Sequence, residues 1–81
     1  MSEKAALRTL VKDFSAEMRE KLLAKADQGW VGWDHPNYRL DLEQKLFAHV
    51  LRALRGDSRQ WVDVANFAAF LWAQSSEGSS S

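Results

Sequence analysis

The chain has no cysteine and, across 81 residues, only one proline and four glycines. The missing cysteines rule out disulfide staples and any thiolate metal site, so the fold rests on packing alone. They also fit a reducing, cytoplasmic setting. Net charge is missing too. Eleven lysines and arginines balance eleven aspartates and glutamates, so the long-range field that draws basic proteins onto DNA, RNA or anionic lipid is absent. No apolar run approaches the roughly 20 residues that a membrane span needs, and Met1–Leu10 carries no signal-peptide pattern. A chain this short forms one domain that buries only about 60–65% of the surface its unfolded form exposes. Its core must be well packed or shared with a partner.

What is present is helical patterning. From residue 3 to 27, Leu7, Leu10, Val11, Phe14, Met18 and Leu22 recur every three or four positions, with charged residues on the opposite face. Ser2 is placed to cap this helix and Gly29 to stop it. At 1.5 Å per residue it is roughly 36 Å long, more than so small a domain can cover with its own residues. The segment Gln28–Tyr38 then reads as an aromatic loop carrying Trp30, Trp33 and Tyr38. Asn37 or Asp41 is expected to cap a second helix over 39–55, with Leu42, Leu46, Val50 and Leu54 as its apolar row, Phe47 and Leu51 beside it, and Gly56 as its stop. Asp57 or Ser58 caps a third helix over 58–74, an antiparallel neighbour of the second across a short turn.

The third helix is apolar almost all round: between Trp61 and Ala73 only Asp63 and Asn66 are polar. Two short helices cannot enclose such a helix, and a second copy of the chain is the simplest cover. Trp61, Val64, Phe67, Phe70, Leu71 and Trp72 are the expected interface residues of a homodimer or larger homo-oligomer. Residues 1–74 thus form one all-α domain, and the polar tail over 75–81 is expected to be disordered.

Few residues carry chemistry. Asp63 and Asn66 share a face of the third helix, and a carboxylate there needs a cation, a metal or hydrogen-bond donors. Arg52, Arg59 or another subunit is its expected partner if the role is structural; otherwise the pair faces a ligand. His49 on the second helix is either a core-edge residue or a proton-transfer partner of Asp63, since antiparallel packing brings the two together. His35 reads as a turn residue, and neither histidine has metal-site spacing to a second ligand. Lys45, Arg52, Arg55 and Arg59 form a basic row, either a solvated face or a contact for phosphates or an acidic protein. Trp30 and Trp33 either plug the core or stack on a base.

One segment carries a resemblance. Asp63-Val64-Ala65-Asn66-Phe67 running into Phe70-Leu71-Trp72 resembles the small phage-borne MazG-like proteins of the all-α nucleoside triphosphate pyrophosphohydrolase superfamily. Met18-Arg19-Glu20-Lys21-Leu22-Leu23, Gly32-Trp33-Asp34-His35-Pro36 and Gly56-Asp57 support it, so that the similarity covers about 14–72. The resemblance implies a helical hairpin fold and Mg²⁺-dependent hydrolysis of nucleotides. The metal would be held by E-E-x-x-E on one helix and E-x-x-D on the next, since clustered carboxylates hold the ions that neutralise a triphosphate and activate water.

The sequence departs from that pattern at the metal ligands. The first motif falls on Ala48, His49 and Arg52, the second on Gln60 and Asp63, and only Asp63 is an acid. Arg52 places a fixed cation where metal charge belongs. The expectation is therefore a non-catalytic, phage- or prophage-type binding protein with no cofactor. Its target is a nucleotide-type ligand or a host defence protein, with Asp63, Asn66, His49, Arg52, Gln60 and Trp33 as candidate contacts. Two alternatives stay open: a pyrophosphohydrolase with an atypical Mg²⁺ site at Asp63, and a purely protein-binding inhibitor or scaffold.

Overall fold

The computed structural model describes residues 2–30 and 32–79. They form three α-helices: α1 (Glu3–Asp27), α2 (Arg39–Leu54) and α3 (Gln60–Ser79). A short 3-10 turn, Pro36–Tyr38, precedes α2, and there is no strand among the described residues.

The ends of α1 are set by the residues the sequence points to. Ser2 Oγ accepts from the amide of Ala5 at 3.1 Å, which satisfies one of the free donors of the first turn. At the other end Gly29 adopts φ +84°, which residues with a Cβ rarely reach. This lets the Gly29 amide bond to the Ala26 carbonyl at 2.9 Å and the Trp30 amide bond to that of Lys25 at 3.0 Å. The end of α2 repeats the arrangement: Gly56, at φ +116°, donates to the Ala53 carbonyl and Asp57 to that of Arg52.

The start of α2 differs from expectation. Neither Asn37 nor Asp41 caps it; Tyr38 occupies the cap position without a side-chain bond. Pro36, with its fixed φ, starts a 3-10 turn instead, and His35 Nδ1 accepts from the Asn37 amide at 3.2 Å. That turn delivers the chain straight into α2, so a polar side-chain cap is not required. Asp57, one of the two expected caps of α3, closes the turn just before it: its Oδ1 accepts from the Arg59 amide at 3.3 Å and its carbonyl from the Gln60 amide at 3.1 Å.

α2 and α3 form an antiparallel hairpin around Leu42, Phe67 and Phe70, all nearly inaccessible, with Leu22, Trp30, Leu46 and Leu71 packed at the edge. Phe70 is the hub of the aromatic side. Trp33 stacks on it at 5.1 Å, Trp30 lies tilted at 5.4 Å, and Phe67 meets it edge-on at 6.1 Å. Lys25 Nζ covers the Trp30 ring at 5.4 Å. The aromatic loop is thereby pinned to the core, with Gly32 (φ +97°) passing so close to Tyr38 that a Cβ there would lie 3.0 Å from its ring.

Three expectations change. Leu54 is not a core residue: it is 69% exposed, because the inner row of α2 runs Leu42–Leu46–His49–Ala53 and Leu54 sits one step, about 100°, around the helix. Phe67 and Phe70, expected between subunits, are buried inside the single chain, while Trp61 and Trp72 are bare. Finally, α3 does not end at Gln74. The 75–79 part of the expected disordered tail continues it, since no proline interrupts the segment and extending a formed helix costs little per residue. Ser80 and Ser81 lie outside the described residues.

α1 touches the hairpin only through its C-terminal half and buries none of its residues fully. Its N-terminal half projects with Leu7, Leu10 and Val11 exposed.

Candidate functional site

Where the three helices meet, the structure gathers four of the six candidate residues. α2 contributes His49, and α3 contributes Gln60, Asp63 and Asn66 along its inner face. The short Gly56–Arg59 turn sets this register by placing the first turn of α3 beside the last turns of α2.

The hydrogen bonds run outward from an acid. The Asp57 carboxylate accepts from Gln60 Nε2 at 3.0 Å and from Arg59 Nε at 3.3 Å. These contacts hold its carboxyl below the usual carboxylate value: the Gln60 bond has the largest effect, desolvation opposes it, and the hydrogen bonds and charge of Arg59 add to the lowering. A carboxylate only accepts, so Gln60 turns its amide nitrogen to Asp57 and its oxygen to His49. His49 Nδ1 then donates to Gln60 Oε1 and is the protonated nitrogen of the ring. The imidazole also stacks on Phe67 at 5.1 Å, and its Nδ1 is 3.9 Å from Asp63 Oδ2.

Asp63 finds its cation on α1. Lys21 Nζ lies 3.2 Å from each of its oxygens, bridging 42 positions of sequence. The expected partners Arg52 and Arg59 are not used: Arg59 is engaged by Asp57 instead. Asn66, only 2% exposed, donates from Nδ2 to the Met18 carbonyl at 3.4 Å and leaves Oδ1 without a partner among the described residues. Arg52 is exposed on α2 and takes no part in these contacts. Trp33 sits on the far side of the core, stacked on Phe70, its carbonyl accepting from Gln74 Nε2 at 2.6 Å. A cavity of about 150 Å³ there is lined by Leu22, Ala26, Trp30, Trp33 and Phe70, all apolar.

The donor set does not fit Mg²⁺. That ion prefers hard, charged oxygens in octahedral array. Here one carboxylate is held through both oxygens by an ammonium, beside an imidazole and a carboxamide already bonded to each other. Among the described residues no three of Asp, Glu or His gather at metal-binding distances. The arrangement is suited to locking α1, α2 and α3 together.

The basic row is likewise divided. Lys45 pairs with Asp41 at 2.9 Å and Arg59 with Asp57, so of the row's four cations Arg52 and Arg55 have no ion pair among the described residues.

Sequence reasoning missed Lys21, a member of the charged face of α1 with no local feature to separate it from its neighbours. It also grouped Phe47, Leu51 and Leu54 with the core row of α2, where the structure turns them outward as a second apolar row. Leu40, Phe47, Leu51 and Leu54 lie opposite the buried row and are 65%, 71%, 47% and 69% exposed. Their heptad-like spacing was legible; that α2 has apolar residues on two opposite faces was the signal.

Compared with known proteins, the chain matches no family model, no curated protein and no solved structure.

Proposed function

We infer that the protein is a non-catalytic helical binding module on a MazG-like scaffold, and that its target is a protein surface. The observation that carries this reading is the commitment of Asp63, the one acid at the family's metal positions, to Lys21 through both oxygens. A group so engaged serves the packing of α1 on α3 and is not free to hold an ion or a triphosphate.

The exposed row of α2 supports a protein as target. Leu40, Phe47, Leu51 and Leu54 span four turns, more contiguous apolar surface than a helix facing only water carries. Arg52 and Arg55 flank its C-terminal end. The complementary surface is an apolar groove or helix with an acidic rim, where apolar contact supplies affinity and the arginines supply orientation.

The test has two arms. Incubation with each deoxynucleoside triphosphate and Mg²⁺ or Mn²⁺ is expected to release no pyrophosphate. Release that disappears in Asp63→Ala would overturn the reading. In affinity capture from host lysate, a partner is expected on the wild-type chain and absent from Phe47→Glu. A partner retained equally by both would remove the α2 row from the account.

A further inference from the structure

The cavity on the far side of the core plays no part in the contacts around Asp63. Its volume is about 150 Å³, and its walls are Leu22 and Ala26 from α1, Trp30 and Trp33 from the aromatic loop, and Phe70 from α3. Leu22 and Ala26 lie one turn apart on the same face of α1. The apolar stripe of α1 thus ends on a small side chain, and the space that a leucine would fill at position 26 stays open. Ala26 is exposed and Trp33 is 37% exposed, so the cavity has a mouth toward solvent.

The walls are held apart. Both indoles rest on Phe70, Trp33 stacked at 5.1 Å and Trp30 tilted at 5.4 Å. Their backbones are tied to different helices. The Trp30 amide donates to the Lys25 carbonyl of α1 at 3.0 Å, and the Trp33 carbonyl accepts from Gln74 Nε2 of α3 at 2.6 Å. Closing the space would break one of these bonds or pull a ring off Phe70. The lining of such a cavity forfeits dispersion contacts, and an apolar cavity of roughly 150 Å³ stays dry and accepts a benzene-sized molecule.

The lining also selects. It carries no charge and no side-chain acceptor; its only polar side-chain groups are the two indole N–H donors. A nucleobase would bring N–H donors that find no side-chain acceptor there, at a cost in desolvation. A cationic ring would meet the Lys25 ammonium, which stands 5.4 Å over the Trp30 ring. An uncharged ring loses nothing on entry and gains three aromatic neighbours.

We propose that this cavity is a binding site for a neutral, single-ring aromatic molecule, seated against Trp30, Trp33 and Phe70. The site is separate from Asp63 and from the exposed row of α2, and it holds whether or not the α2 row meets a partner protein.

Nuclear magnetic resonance of the isotope-labelled full chain, titrated with benzene, tests it. The four tryptophans give four indole N–H signals. Benzene is expected to shift those of Trp30 and Trp33 saturably and to leave those of the exposed Trp61 and Trp72 in place. It is also expected to raise the melting temperature, because it binds the folded chain alone. Ala26→Leu fills the space from a position outside the buried core. It is expected to keep its helical circular dichroism and to lose both responses. Thymidine and adenosine are expected to produce neither. Shifts that do not saturate, equal shifts at all four indoles, benzene responses kept in Ala26→Leu, or a stronger response to either nucleoside would each overturn the proposal. Should Ala26→Leu fail to fold, the wild-type titrations decide alone.

Discussion

Lys21 Nζ stands 3.2 Å from both carboxylate oxygens of Asp63, and this contact, with the Asn66–Met18 bond beside it, fastens α1 to the hairpin. Asp63 is 14% and Lys21 39% exposed at the side chain. The pair is too sheltered to count as a surface ion pair and too open to carry the full cost of a buried one.

Lys21→Met keeps the apolar stem and removes the charge. It is expected to cost about 1–2 kcal/mol, because the sheltered carboxylate is left with only His49 nearby. Urea titration should show a lower midpoint at unchanged slope, and amide exchange should quicken in the C-terminal half of α1. An unchanged midpoint would mean that α1 is held by its apolar contacts alone.

Asn66→Leu probes the unpartnered Oδ1. Replacing a buried amide that makes one long hydrogen bond by an apolar side chain of similar size is expected to be neutral or stabilising, by up to about 1 kcal/mol. Thermal melting measures it. A clear loss of stability would show that the oxygen has a partner, water or ligand, that matters.

Asp57 makes stability pH-dependent. Its carboxyl titrates lower in the folded chain than in the unfolded one, owing to Gln60 first and Arg59 second. The unfolded chain therefore takes up the proton first as pH falls. The contribution is present in full above the ordinary carboxylate value, near pH 4, and is lost on going down through the folded value. Asp57→Asn is expected to flatten this acid limb in melts run from pH 6 to pH 2, lowering the melting temperature most at pH 6, where the carboxylate contributes in full, and least at pH 2, where the contribution is already lost. An identical acid limb in both proteins would remove Asp57 as its source.

Gly32→Ala is expected to destabilise by about 1–2 kcal/mol, since it combines a positive φ with a Cβ placed 3.0 Å from the Tyr38 ring. Gly29→Ala shares the positive φ but meets nothing within 4 Å, so its loss should be smaller. Equal losses in thermal melts would show that the Tyr38 contact is relaxed without cost.

Local signals in the sequence carried the helices. Ser2, Gly29, Gly56 and Asp57 act where their chemistry places them, because caps and left-handed stops depend on a few adjacent residues. The approach of His49 to Asp63 also followed, from the short turn that forces α2 and α3 to lie antiparallel. What depended on α1 did not. Its rotation about α3 decides that Lys21 rather than Arg52 or Arg59 meets Asp63, and no local pattern across a separation of 42 positions encodes that rotation. Leu54 was misplaced for a related reason: α2 is apolar on two faces, and periodicity alone does not say which one turns inward.

A native mass spectrum of the freshly purified chain tests the central claim most directly, since it reports subunit number and bound small molecules together. A binding module whose Asp63 is committed to Lys21 should appear with no nucleotide or metal mass added to its 9.2 kDa chains. A mass raised by a bound nucleotide or divalent ion would contradict it.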